Sequence, residues 1–133
     1  MGTVRETAVS VRFGGDDLDP DEITALLGVQ PDIALRTGDP APNGRGLCRT
    51  GIWLLKAPRS SPGDLDGQIA SLLAKMSDDL SVWLVLSRRY RADLFCGLFL
   101  ENGNEGITLS TETIRAIADR GLELGLDIYS TAD

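Results

Sequence analysis

The segment VWLVLSRRYRADLFCGLFL, residues 82–100, constrains how the rest of the chain can be arranged. It contains two apolar runs, 82–86 and 94–100, on either side of the basic and aromatic group 88–91. Short runs of this kind, separated by a polar turn, are typical of a β-hairpin. The segment therefore predicts two antiparallel strands that are joined around Arg88, Arg89 and Tyr90.

The predicted hairpin carries apolar side chains on both of its faces. A three-residue loop places Leu84 opposite Leu94, and the second face then holds Trp83, Val85, Phe95 and Phe99. Strands that are apolar on both faces have their second face covered as well. We therefore predict an interface with another protein formed by Trp83, Phe95 and Phe99. The alternative is that the segment 29–47 folds over this face within the chain.

Further strands and helices alternate around this segment. Alternating apolar residues predict three more strands, at 7–13, 51–57 and 126–129. Apolar residues at helical spacing predict three helices, which begin after Asp19, at Leu65 and after Ser110. Asp19 and Pro20 are typical of a helix start, and Gly28 is typical of a helix end.

These elements define a fold class. Their order is β-α-β-α-β-β-α-β, within a length of 133 residues that suits one domain over residues 1–133. We predict a two-layer α+β sandwich on the ferredoxin-like plan, with a mostly antiparallel five-stranded sheet and three helices on one face.

The charge balance disfavours some classes of partner. Thirteen basic and twenty acidic residues give a net charge of −7. An acidic protein is repelled by nucleic-acid phosphates, so nucleic-acid binding is unlikely and the basic group 88–91 is expected to be a solvated turn. No stretch reaches the roughly 18 apolar residues that span a bilayer, and the first ten residues lack the pattern of a signal peptide. We therefore expect a cytoplasmic protein that does not bind membranes.

The sequence contains no histidine. This removes the usual general base at neutral pH and the commonest transition-metal ligand. Cys48 and Cys96 are too few for a zinc site or a disulfide framework, and we expect both to be inert buried thiols. We predict no cofactor, no metal site and no catalytic residue. Enzymes without histidine use carboxylates or lysine, so a slow enzyme stays an open alternative.

The loop RTGDPAPNGRG, residues 36–46, offers the main alternative site. It lacks the strand and helix context of a phosphate-binding loop. Arginine guanidinium groups nevertheless bind carboxylates and phosphates well. The alternative prediction is a small anionic ligand, held by Arg36, Asp39 and Arg45 near Trp53.

Several short motifs together resemble one family. They are Leu18–Ile23, Leu27–Pro31, Arg36–Asp39, Gly51–Trp53 and Leu126–Tyr129. In these motifs the chain is similar to the small bacterial proteins of the domain of unknown function 4279 family, over nearly its whole length. The resemblance implies a small cytoplasmic α+β module with no established reaction and no catalytic residues to carry over.

The leading hypothesis is therefore a non-catalytic protein-interaction or accessory module. Its predicted partner is another protein or a second copy of the chain, bound through the aromatic sheet face or the loop 36–46. Some small acidic bacterial proteins act as immunity factors, and such a role is an analogy of class only.

Overall fold

The computed structural model describes residues 2–130, with side chains described from Val4 onward. In chain order, the strands are β1 (Gly2–Thr3), β2 (Glu6–Gly15), β3 (Ile33–Leu35), β4 (Gly51–Lys56), β5 (Arg91–Leu100), β6 (Glu105–Gly106) and β7 (Glu123–Ser130). The helices are α1 (Pro20–Leu27), α2 (Leu65–Ala74), α3 (Leu80–Arg89) and α4 (Thr111–Asp119).

Five of these strands form one mixed sheet, in the order β3-β4-β2-β5-β7. Neighbouring strands are antiparallel except β5 and β7, which are parallel. The short strands β1 and β6 form a separate parallel pair. The α+β class and the five-stranded main sheet match the prediction. The parallel pair at one edge and the fourth helix depart from the predicted plan.

The largest departure is α3, because the strand predicted at 82–86 is wrong. Asp79 caps the N-terminus of this helix, and its side chain accepts a hydrogen bond from the backbone N–H of Ser81 at 3.0 Å. The buried residues Trp83, Leu86 and Tyr90 follow at spacings of three and four, which is helical, whereas Val85 is exposed. The polar stretch before Leu80 also divides the long helix predicted at 65–80 into α2 and α3. No hairpin loop exists at 88–91, because α3 ends at Arg89 and β5 begins at Arg91.

A second correction concerns the segment 29–47. It does not fold over the sheet, because its residues Ile33–Leu35 form β3 and pair with β4 at the sheet edge. The number of strands in the main sheet therefore agrees with the prediction only because β3 replaces the strand wrongly predicted at 82–86.

The core lies between the sheet and the helices, on one face that we call the covered face. Phe13 of β2 contacts Trp53 of β4 and Trp83 of α3, with ring centroids 5.7 and 6.2 Å apart. The same cluster of buried residues includes Ile23 of α1, Ile69 of α2 and Ile117 of α4, so all four described helices contribute to it. Alternate residues of the same strands point to the opposite face, which we call the open face.

Candidate functional site

The open face carries an aromatic cluster at the β5–β7 end of the sheet. Phe99 of β5 stacks on its register partner Tyr129 of β7, with ring centroids 4.9 Å apart and planes within 7°. The guanidinium group of Arg59 lies 5.0 Å from the centre of the Phe99 ring. Half of Tyr129 remains exposed. Stacked and cation-bearing rings of this kind are typical of recognition surfaces because they offer apolar area at low conformational cost.

An ion pair crosses the open face nearer the opposite end of β5. Arg12 of β2 donates two hydrogen bonds to the carboxylate of Asp93, at 2.8 Å from Nε and 2.7 Å from Nη2. This bond to Asp93 raises the pKa of Arg12. The Arg12 guanidinium also lies 4.2 Å from the centre of the Phe95 ring. The two-pronged geometry holds both side chains in fixed positions across the β2–β5 pair.

Strand β7 forms one edge of the sheet and is apolar on its covered side. On the covered side its residues Leu124, Leu126 and Ile128 are 42%, 51% and 57% exposed. On the open side it carries Tyr129. Within residues 2–130 no strand pairs with its outer edge. An edge strand with this composition presents unpaired backbone groups together with exposed apolar side chains.

The predicted aromatic interface is divided between the two faces. Phe95 and Phe99 lie on the open face, as the sequence pattern predicts. Trp83 lies in α3 instead, fully buried in the core, and its Nε1 donates a 2.7 Å hydrogen bond to the backbone oxygen of Ser77. Trp83 therefore cannot be part of an exposed interface, because its side chain is enclosed by the covered face.

The residues predicted to hold an anionic ligand are not gathered around one space. Arg36 pairs with Asp19 and Asp21 at the start of α1, at 3.0 and 2.8 Å. The carboxylate of Asp39 accepts a hydrogen bond from the backbone N–H of Arg36 at 2.7 Å. Trp53 is fully buried, and its Nε1 donates to the side chain of Thr24 in α1.

The loop 36–46 is shaped by its own backbone. Gly38 and Cys48 are linked by a 2.9 Å hydrogen bond, Cys48 and Asp39 by one of 2.7 Å, and Pro40 forms an isolated bridge with Leu47. Gly38 has a positive φ of 90°, which favours glycine at this turn. Arg45 is exposed on the same loop. These contacts explain Gly38 and Asp39 by the geometry of the turn.

Reasoning from the sequence missed Arg12, Tyr129 and the stripe on β7. Arg12 and Asp93 each follow the alternation of their strands, but only the β2–β5 register shows that they face each other. The prediction of a strand at 126–129 found part of β7. Its position at the edge, and hence its exposure, depends on the strand order.

The two cysteines differ in their surroundings. Cys96 lies in the core, where burial raises the pKa of its thiol to about 12. Cys48 is only half-buried, in the loop that follows β3, so the expectation of two buried thiols holds for Cys96 alone.

In residues 2–130, no helix is long and apolar enough to cross a membrane. The same residues contain no group of three or more cysteine, aspartate or glutamate side chains arranged to hold a metal ion.

The comparisons with known proteins give a family and no function. The family described as Domain of unknown function (DUF4279) matches residues 5–131, which is nearly the whole chain. The chain therefore belongs to this family, as the motifs Leu18–Ile23 and Arg36–Asp39 indicate. No curated protein and no solved structure matches the chain.

Proposed function

We propose that this member of the family is a non-catalytic protein-interaction module, and that the outer edge of its sheet, strand β7, is the binding surface. The observation that carries the proposal is the exposure of Leu124, Leu126 and Ile128 on a strand whose outer edge pairs with no other described strand. The lack of histidine in the sequence is the reason for proposing no catalysis.

Strand β7 has few of the features that block pairing at the edge of a sheet. Edge strands usually carry charges or prolines that prevent pairing. Strand β7 has eight residues, and only Glu123 and Asp127 are charged. A partner strand on its outer edge would pair with the outward-pointing backbone groups of residues 124–128 and cover the apolar side chains at the same time.

A second copy of the chain fits this edge well. In an antiparallel pair of two β7 strands centred on Leu126, each Leu124 lies opposite the partner's Ile128 on the covered side. On the open side, Asp127 lies opposite the partner's Gly125, and Glu123 lies opposite the partner's Tyr129. No acidic side chain then faces another acidic one directly, which matters for a chain with a net charge of −7. A register centred on Asp127 would oppose two carboxylates and is disfavoured.

The aromatic cluster of the open face adjoins this edge and would extend the contact. Tyr129 is itself a β7 residue, and Phe99 stacks directly beneath it in the next strand. An isologous pair of sheets would bring two such stacks to the same surface, one from each copy. This keeps Phe99 in the proposed interface and gives Phe95 a place at its margin.

Sedimentation equilibrium of the wild-type chain and of Leu126→Lys tests the proposal. We expect a wild-type dimer at tens of micromolar and a monomer for Leu126→Lys, because a charge at the centre of the paired strands lacks a partner. Leu26→Lys is the matched control, since Leu26 is 37% exposed on α1, which contacts β4 toward the opposite edge of the sheet from β7. A wild-type monomer at all concentrations, or equal loss of the dimer in both variants, would contradict the proposal.

The proposed setting is the cytoplasm, and both cysteines are free thiols, as is usual in a reducing compartment. An immunity or other accessory role is compatible with this binding mode but rests only on the analogy of class. The other candidate, an anionic ligand held by Arg36, Asp39 and Arg45 near Trp53, has weaker support, because the buried Trp53 cannot touch a ligand in the exposed loop.

A further inference from the structure

A cleft of about 280 Å³ lies at the end of the sheet opposite the aromatic cluster. Strands β2, β4, β5 and β7 all contribute to it, and its polar lining is formed by Arg12, Thr50, Arg91, Asp93 and Glu123. Its apolar part includes Ile52 and Ala92. The cleft shares no lining residue with the loop 36–46 or with the apolar stripe of β7.

Glycine shapes the centre of this cleft. Gly14 of β2 is the register partner of Arg91 in β5 and of Ile52 in β4. A Cβ atom on Gly14 would lie 3.1 Å from Nη2 of Arg91 and 3.7 Å from the central carbon of the guanidinium group. The guanidinium of Arg91 therefore rests against the backbone of Gly14, in a position that a larger residue would disturb.

The charged side chains of the cleft differ in whether they are paired. Arg12 and Asp93 neutralise each other through their double hydrogen bond. Arg91 forms no ion pair and no side-chain hydrogen bond with any described residue, and it is exposed at the mouth of the cleft. The guanidinium of Arg91 is thus a cation with all of its donors available.

A second unused polar group lies in the lining. The hydroxyl oxygen of Thr50 is buried without a hydrogen-bond partner among the described residues. A buried hydroxyl without a partner is unfavourable unless another group, such as a ligand, supplies one. Thr50 is itself a lining residue of the cleft.

We propose that the cleft binds a small organic anion, with one carboxylate or phosphate group held by Arg91 and Thr50. The flat fork of a guanidinium matches two oxygens of either group, and the hydroxyl supplies a further donor. Ile52 and Ala92 would contact a compact apolar body attached to the anionic group. Glu123 also lines the cleft and repels any negative charge beyond the group that Arg91 holds.

Titrations followed by two-dimensional NMR test this site, with benzoate, phenyl phosphate and inorganic phosphate as separate probes. We expect saturable shifts of the amides of Gly14, Thr50 to Ile52 and Arg91 to Asp93 with benzoate or phenyl phosphate. Stronger binding of one of these two identifies the preferred anionic group, and weaker binding of inorganic phosphate shows that the apolar wall contributes. Absence of saturable shifts at these amides with all three probes overturns the proposal.

Substitution of Arg91 tests whether its guanidinium group holds the ligand. Arg91→Gln should weaken binding by about tenfold or more, the loss expected for one charge-assisted pair. Arg88→Gln is the matched control, because Arg88 is also exposed and unpaired among the described residues but lies on α3, outside the cleft. Equal affinity of Arg91→Gln and the wild type would overturn the proposal.

Two further variants test the geometry and the sign of the ligand charge. Gly14→Ala should weaken binding, because the added methyl group displaces the Arg91 guanidinium. Unchanged amide signals outside the cleft would show that this variant keeps its fold. Glu123→Gln should tighten binding of benzoate by about two- to threefold by removing a nearby like charge. Weaker binding after Glu123→Gln would show that the carboxylate attracts the ligand and would contradict an anion as the occupant.

Discussion

The two faces of the sheet are built from alternate residues of the same strands, yet they differ in almost every physical property. On the covered face Phe13, Trp53 and Leu94 are fully buried and pack against helices. On the open face the neighbouring residues Arg12 and Asp93 form an ion pair, and Phe99 and Tyr129 form a partly exposed stack. The comparison shows that one set of strands carries a buried apolar layer on one side and a partly exposed polar and aromatic layer on the other.

This division has an energetic consequence. Burial of apolar surface contributes about 25 cal/mol per Å², so side chains of the covered face carry most of the stabilisation. Exposed ion pairs contribute little, with a typical value of about 0–1 kcal/mol. Substitutions on the covered face should therefore destabilise the chain much more than comparable substitutions on the open face.

The largest expected effect is the loss of an aromatic ring from the core. Trp83→Ala should lower the free energy of unfolding by about 3–5 kcal/mol, because it leaves a cavity beside Phe13. Phe95→Ala, on the open face, should lower the free energy of unfolding clearly less. If Trp83→Ala does not fold, Trp83→Phe serves as a milder substitution at the same position. Urea denaturation followed by circular dichroism measures all three. Equal losses for Trp83 and Phe95 would contradict the division between the faces.

A smaller loss is expected from the polar network of the covered face. The Nε2 group of Gln68 in α2 donates to the backbone oxygens of Thr7 and Pro58, at 3.0 and 2.9 Å. Gln68→Ala removes this donor from the buried backbone oxygen of Thr7 and the partly buried one of Pro58, and should cost about 2 kcal/mol. Gln68→Glu retains the size of the side chain but loses the amide donor, so it should also be destabilising in the same denaturation assay. If both variants were as stable as the wild type, the hydrogen bonds of Gln68 would not stabilise the fold.

The ion pair of the open face should contribute less again. A double-mutant cycle with Arg12→Ala and Asp93→Ala should give a coupling energy of at most about 1 kcal/mol, since both side chains are partly exposed. The coupling should fall further in 1 M salt because of screening. A coupling energy several times larger would show that this face also carries the stability of the fold.

The smallest effect concerns a contact within the helical layer. The Asp66 carboxylate of α2 accepts a 2.8 Å hydrogen bond from the backbone N–H of Ser110. This bond, with a second from Thr113, lowers the pKa of Asp66. Its stabilising contribution is present above the pKa of the unfolded chain, about 3.9, and is lost as the pH falls through the lower pKa of the folded state. Asp66→Asn should cost less than about 1 kcal/mol at pH 7, and the difference from the wild type should shrink as the pH falls below about 4. A difference that grows toward acid pH would be inconsistent with a lowered pKa.

The sequence predicts correctly the elements that are marked by nearby residues, such as helix caps and alternating apolar side chains. Asp19, Pro20 and Gly28 mark both ends of α1, and the structure confirms the cap and the left-handed Gly28. Strands β2, β4 and β5 follow from alternation or from apolar runs between turn residues. Ser110 starts α4 as predicted, with its side chain accepting from the backbone N–H of Thr113.

The failures arise where a short pattern fits two structures. The five residues 82–86 are all apolar, so their pattern is compatible with a strand and with a helix. Only the flanking residues favour the helix, because Asp79 can cap it and Tyr90 continues the helical spacing of buried residues. Strand β3 has only three residues and is held by pairing with β4, which no local signal reports. The candidate surfaces depend on strand order and register, because these alone bring Arg91 against Gly14 and leave β7 at the edge.

Hydrogen exchange of the backbone amides in β7 tests the central claim most directly. The claim is that the covered face stabilises each chain, while the edge strand β7 binds a second copy. At high protein concentration the β7 amides that point away from β5 should be protected, and this protection should fall on dilution and in Leu126→Lys. Amides of β3 that point away from β4, at the other edge, should exchange rapidly throughout. Rapid exchange of the outward β7 amides at every concentration, with the core strands still protected, would contradict the account.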